Sequence, residues 1–173
     1  MKGHCILSHG LNSGPQAAKV SALAQVAEVL GFSTERPDYR DIDTRPGAEI
    51  RDVAQRQARL VERMRAVAAP VVLVGSSMGA FISARASLEL PVRALFLMAP
   101  PIALPGYALN FDAASVPMRV IHGWHDELIP AQAVVDWCAT RAADLRLLND
   151  GHRLERHIED IKADFAQFLG ALA

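Results

Sequence analysis

Cysteine, aromatic side chains and net charge are all scarce in this sequence. The 173 residues include two cysteines, Cys5 and Cys138, too few for a disulfide framework. Each sits in an apolar setting and reads as a small buried hydrophobe. Neither belongs to a metal-ligand spacing, so no metal and no other cofactor is expected. Aromatics make up 6%, so aliphatic side chains must fill the core. The net charge of −1 supplies no basic field for nucleic acid and no acidic tail for a cationic partner. The densest basic cluster, the arginines between residues 51 and 65, shares a helical pattern with Glu49, Asp52 and Glu62, and is read as a solvated face. No apolar run is long enough to span a bilayer. The opening MKGHCILSHG enters a strand directly rather than a signal peptide, which makes the cytoplasm the expected location.

What is present is alternation. Short apolar runs at residues 5–8, 71–74, 94–98, 118–121 and 145–148, with a weaker one at 32–36, read as six strands. Helical periodicity fills the intervals at 15–30, 50–67, 81–90, 130–141 and 155–169. Pro15 is expected in the first turn of its helix, and Gly31 beyond the end of it. The polar stretch 38–47, which contains Pro46, reads as a loop. The continuous β-branched run Val71, Val72, Leu73, Val74 suits a strand covered on both faces. Strand and helix in alternation, with no repeat or linker, predict one domain over residues 1–173. Its fold class is α/β, a doubly wound, mostly parallel sheet of about six strands with helices on both faces. Ligands in such sheets bind beyond the carboxyl ends of the strands.

Chemistry-bearing residues cluster at those ends. Gly75-Ser76-Ser77-Met78-Gly79 lies between a buried strand and a helix. A serine presented this way projects from a tight turn, and flanking glycines remove the Cβ atoms that would collide there. A serine hydroxyl needs a base and a group to orient that base. Of six histidines, His152 follows the final strand, in Asn149-Asp150-Gly151-His152. His157 falls in the closing helix and is expected at the surface. Asp126 follows the penultimate strand, ahead of Pro130; Glu127 and Asp150 compete with it for the acid role. Backbone N–H groups of Met78, after the serine, and Leu11, after the first strand, are the candidate oxyanion donors. Gly10 allows close approach of backbone to substrate, and His9 is expected to brace its loop.

Ser8-His9-Gly10, the Ser77 motif, His122-Gly123-Trp124-His125-Asp126 with Pro130, and Gly151-His152 together resemble the α/β-hydrolase superfamily, in the family's order. The stretch Leu11-Asn12-Ser13-Gly14-Pro15-Gln16-Ala17-Ala18-Lys19 is similar to small bacterial esterases of the YqiA type. The resemblance implies a catalytic triad of Ser77, Asp126 and His152 with an oxyanion hole at Leu11 and Met78. Two departures stand out. The sequence reaches the strand bearing His9-Gly10 almost at once, so the leading antiparallel strands are expected to be absent, and residues 99–117 leave little room for a cap domain. The apolar, proline-rich 99–111 segment could still lie over the site, which would place Ile102, Trp124, His9 and Gly10 against substrate. The expected reaction is hydrolysis of small-molecule carboxylic esters with small or accessible acyl groups, through an acyl-enzyme. A thioesterase or peptidase would use the same residues, and a silent binding module on this fold is the alternative from another class. A Rossmann nucleotide site is disfavoured, because residues 9–14 lack the G-x-G-x-x-G spacing. Nothing in the sequence sets the oligomeric state.

Overall fold

The computed structural model describes residues 2–47 and 52–172. Six strands form one sheet in the order β2-β1-β3-β4-β5-β6: β1 His4–Ser8, β2 Ser33–Glu35, β3 Val71–Ser76, β4 Ala94–Met98, β5 Met118–Gly123 and β6 Asp144–Leu148. Every pairing is parallel, so the expected "mostly parallel" sheet is entirely so. The helices are α1 Ala18–Val29, α2 Arg40–Asp43, α3 Val53–Arg65, α4 Met78–Ala86, α5 Ala131–Arg141 and α6 Ile158–Ala171. No helix among the described residues is long and apolar enough to cross a membrane.

The period of two along each strand divides the core into two layers. Ile6, Leu73, Leu95, Leu97 and Val120 point to one side, where Leu60 and Met64 of α3, Phe81 of α4 and Val134 of α5 cover them. Cys5, Leu7, Val72, Val74, Phe96 and Ile121 point to the other, against Leu23 and Ala27 of α1 and Phe165 and Phe168 of α6. Phe96 packs on Phe165 with ring centroids 4.8 Å apart. Both cysteines are free and buried.

The element boundaries correct several sequence expectations. Pro15 lies in a turn ahead of α1, not in its first helical turn, and the helix starts only at Ala18. The stretch 38–47 is not all loop: its apolar Ile42 is buried and anchors the one-turn helix α2. The closing helix is split into a 3-10 turn, Glu155–His157, followed by α6. Ile50, Arg51 and Glu49, assigned to the α3 pattern, lie outside the described residues.

The segment 99–111 has no regular structure and packs on the α3/α4/α5 layer. Phe111 stacks edge-on against Trp137 at 4.6 Å, and Tyr107 against Phe81 at 5.5 Å. Among the described residues no cap domain interrupts the fold. The chain leaves β1 through α1 on one face and leaves β3 through α4 on the other. The carboxyl ends of β1 and β3 therefore bracket a topological switch point, where such sheets place ligands.

Candidate active site

Ser77 is the single residue between β3 and α4, and its backbone has φ 53° and ψ −117°. That region is costly for a side chain, by about 1–3 kcal/mol, and persists only when its surroundings enforce it. Here the surroundings do. A Cβ on Gly75 would stand 2.3 Å from the Gly79 carbonyl oxygen, and one on Gly79 would stand 2.0 Å from the Ser8 carbonyl oxygen. Only glycine lets the strand fold back onto its helix and the helix abut β1. The Ser77 N–H donates to the Met98 carbonyl at 2.9 Å, tying the turn to β4. The predicted helix start at Phe81 is therefore too late: α4 begins at Met78, because low-propensity Gly79 is held in the helix by packing.

Two further strand ends bring the other groups to Ser77. His152 follows β6, and its Nε2 lies 2.9 Å from Ser77 Oγ. Its Nδ1 lies 2.8 Å from Asp126 Oδ2. With Nδ1–H donating to the carboxylate, Nε2 is free to accept the serine proton. The Asp126 side chain is fully buried after β5, and its Oδ1 accepts from the Leu128 and Ile129 N–H groups at 2.9 and 2.8 Å. Burial pushes the Asp126 carboxyl upward, but the His152 hydrogen bond and these two amides outweigh it and hold the pKa below 3.8.

Neither competing acid reaches the imidazole ring. Asp150 Oδ2 accepts from His157 Nδ1 and the Arg156 N–H, each at 3.0 Å, so it braces the loop beyond His152. His157, expected at the surface, is held by that contact. Glu127 Oε2 accepts the backbone N–H of His152 at 3.1 Å. The β5 and β6 loops touch because Gly123 has no side chain; a Cβ there would lie 2.4 Å from the Asp150 carbonyl oxygen.

His122 was not singled out by sequence. It is wholly buried, donates Nε2–H to the Ile129 carbonyl at 3.0 Å and stands 3.5 Å from Asp126 Oδ2. Burial lowers its pKa, and its Nδ1 has no partner among the described residues. A neutral His122 thus holds the turn that presents Asp126.

A cavity of about 540 Å³ opens beside Ser77 and His152. His9, Gly10, Leu11, Asn12, Ser13, Lys19 and Leu128 are among its walls. Gly10 runs alongside the serine: a Cβ on it would lie 3.4 Å from Ser77 Cβ. Leu11 borders the cavity, and no backbone carbonyl among the described residues takes its N–H. Met78 opens α4, so its N–H is one of the donors a helix cannot satisfy internally. Ile102 and Trp124 lie outside the cavity lining. Ile102 packs on the core, and Trp124 is exposed at the surface.

Beneath the Gly10 loop sits a group that the sequence reading misassigned. Arg56, placed on a solvated face, is 1% exposed. Its Nη2 donates to the carbonyls of His9 and Gly10 at 3.0 and 3.3 Å. Its Nε faces buried Asp43 Oδ1 at 3.3 Å, and its guanidinium lies 4.5 Å over the Tyr39 ring. The signal for this was present: Val53, Arg56, Gln57, Leu60, Val61 and Met64 follow helical spacing, and all are buried. His9 is equally buried. Its Nε2 accepts the Tyr39 N–H at 3.1 Å, which leaves the proton on Nδ1 to donate to Gly10 O at 2.8 Å. Burial lowers its pKa, consistent with a neutral ring.

Comparisons with known proteins agree with this fold. A family model described as the uncharacterised protein family UPF0227 matches residues 4–107. The crystal structure of a candidate hydrolase of the α/β superfamily from Xanthomonas campestris pv. campestris is 50% identical, with a TM-score of 0.95 over 98% of this chain and 99% of that one. Two more distant structures share the fold. One is an α/β serine hydrolase without a lid from Xanthomonas campestris, at 22% identity and TM-score 0.74 over 96% and 81% of the two chains. The other is an esterase from Pyrococcus furiosus, at 16% identity and TM-score 0.79 over 98% and 82%. No curated protein matches the sequence. By its sequence match and its lidless six-stranded fold, the chain belongs to the UPF0227 family of the α/β-hydrolase superfamily.

Proposed function

We propose that the chain, acting as one domain over residues 1–173, is a serine hydrolase that cleaves carboxylic esters through an acyl-enzyme. The observation that carries this reading is the hydrogen-bonded series Ser77 Oγ, His152 Nε2, His152 Nδ1 and Asp126 Oδ2, with steps of 2.9 and 2.8 Å beside an open cavity. His152 Nε2 takes the hydroxyl proton as Ser77 Oγ bonds to the ester carbonyl carbon. The carbonyl π electrons move to oxygen, and the Leu11 and Met78 N–H groups receive the resulting oxyanion. Collapse of that intermediate expels the alkoxide, which leaves with the proton held on His152. Water then repeats the sequence on the acyl-enzyme, with His152 again taking and returning one proton. Asp126 remains a carboxylate throughout and stabilises the imidazolium.

The buried Arg56 and His9 serve this step at one remove. A peptide group is planar and trans, so its C=O and N–H point in opposite directions. The Gly10 carbonyl and the Leu11 N–H belong to one peptide. Donation from His9 Nδ1 and Arg56 Nη2 to Gly10 O therefore fixes where the Leu11 N–H points. It also polarises the peptide, which strengthens that donor. Arg56 and His9 are positioning residues in this reading.

The lidless cavity favours small or accessible acyl groups. The test is turnover of a nitrophenyl ester series from acetate to decanoate, alongside matching thioesters and an amide. Highest kcat/KM on short carboxylic esters is expected. Turnover of none of them by folded protein would overturn the assignment.

A further inference from the structure

The mechanism above leaves Lys19 without a task, although it lines the same cavity as Ser77 and His152. Its position is unfavourable three times over. It stands in the first turn of α1, where the helix dipole disfavours a cation, and that turn contains no acidic residue to offset it. It is half-buried, and burial is the main influence depressing its pKa. Among the described residues no carboxylate comes within ion-pair distance of it; Glu155, Asp150 and Asp126 act only from afar. Among the described residues its one protein acceptor is the Arg153 carbonyl. An ammonium group has three donors, so two remain for a ligand.

The cavity wall around Lys19 is divided in character. Asn12, Ser13, Arg153 and Glu155 stand with Lys19 on the polar part, with Glu155 already paired to Arg153 at 3.4 Å, while Leu11, Leu128 and Ile158 supply the apolar part. Leu11 and Leu128 are 47% and 69% exposed, so this apolar surface also waits for a partner.

We propose that Lys19 is a specificity residue for esters that carry a carboxylate in addition to the scissile ester bond. The anion meets Lys19, and the hydrocarbon part of the substrate lies on the leucines. The inference rests on the hydrolase reading. The anion can belong to either half of the substrate, so the test has two arms. Three substrates of matched size are compared: the nitrophenyl ester of hexanoic acid, the nitrophenyl monoester of adipic acid, and the 4-carboxyphenyl ester of hexanoic acid. A charge-assisted contact predicts that one anionic arm exceeds the neutral ester by roughly 10-fold in kcat/KM, after correction for the intrinsic hydrolysis rate of each ester. The ratio of anionic to neutral turnover should collapse towards one in Lys19→Met and invert in Lys19→Glu. Added salt should lower it in the wild type.

A ratio near one in the wild type overturns the proposal. So does a ratio that survives in Lys19→Met while both rates fall together, because that outcome makes Lys19 only a tether for the His152 loop. Failure of the wild type on all three esters, with no labelling of Ser77 by a fluorophosphonate, would instead defeat the hydrolase reading on which this rests.

Discussion

The turn at Ser77 borders the cavity and the clamp at Arg56 lies beneath the Gly10 loop that walls it, and the two are built from different materials. The Ser77 turn is a backbone device. Two glycines and a positive φ aim one side chain, and the chain positions of two further strand ends deliver its partners. The Arg56 clamp is an electrostatic device, a buried guanidinium held by Asp43 and Tyr39 that grips two carbonyls. The first leaves a pattern in the sequence. The second leaves only a charged residue on an apolar stripe, which looks like its solvated neighbours until the helix is packed.

Substitutions can break this contrast at either end. The largest effect is expected at Ser77. Ser77→Ala should lower ester turnover by roughly 10⁴- to 10⁶-fold. Ser77→Gly should be as inactive yet more stable by about 1 kcal/mol, because glycine relieves the strained φ. Urea denaturation beside the kinetics checks both, and a destabilised Ser77→Gly would show that the turn is not strained. Asp126→Asn should cost about 10⁴-fold in kcat with little change in fold, since the neutral amide cannot hold the required tautomer.

Arg56→Met should do two separable things. It leaves Asp43 buried and uncompensated, at a cost of about 3–5 kcal/mol in stability. It also releases the Gly10 carbonyl, and kcat should fall by roughly 10²-fold as the Leu11 donor loses its aim. Adding Asp43→Asn should recover much of the stability and little of the kcat. If the double variant recovers both together, Arg56 serves packing alone.

A smaller effect concerns pH. His9 and His122 have folded pKa values lowered below 6.5 by burial, so the unfolded chain binds protons first as pH falls. Stability from these groups is therefore complete above about pH 6.5 and is lost as pH drops towards their folded values, by at most about 1.4 kcal/mol per histidine per pH unit. Asp126 adds a separate acid limb below 3.8, because its folded pKa is depressed and its contribution vanishes on protonation. Unfolding free energies at pH 7.5 and 5.5 should show the histidine slope, and His122→Asn should flatten it. The smallest change is expected from Glu127→Gln, which keeps an acceptor for the His152 N–H and should alter turnover by no more than about 3-fold.

How much of this was legible depended on whether the determinant was local. Five strands were readable because each is a short apolar run between breakers, and β2, Ser33–Glu35, was the weak one because none of its residues is apolar; the strand order puts Ser77, Asp126 and His152 each beyond the carboxyl end of a strand. Helix ends were less readable. Gly79 hides the start of α4, since its low propensity is overridden by contact with Ser8. Pro15 suggested a helix start that the structure delays to Ala18. Asp150 and Glu127 could not be separated from Asp126 by spacing; only their partners, His157 and the His152 backbone, show their tasks. His122 and Arg56 were missed for one physical reason. Each is a polar side chain whose partners are backbone carbonyls or distant residues, and such contacts have no fixed interval along the chain. Ile102 and Trp124 were expected against substrate if the 99–111 segment lay over the site, and the cavity wall does not include them.

The central claim is that Ser77 is an activated nucleophile. Reaction with a fluorophosphonate probe, followed by mass analysis of proteolytic peptides, tests it most directly. The account predicts one phosphonyl adduct on the peptide that contains Ser77 and none in Ser77→Ala. It also predicts much slower labelling in Asp126→Asn. An unlabelled wild-type protein, or an adduct carried on any other residue, would contradict it.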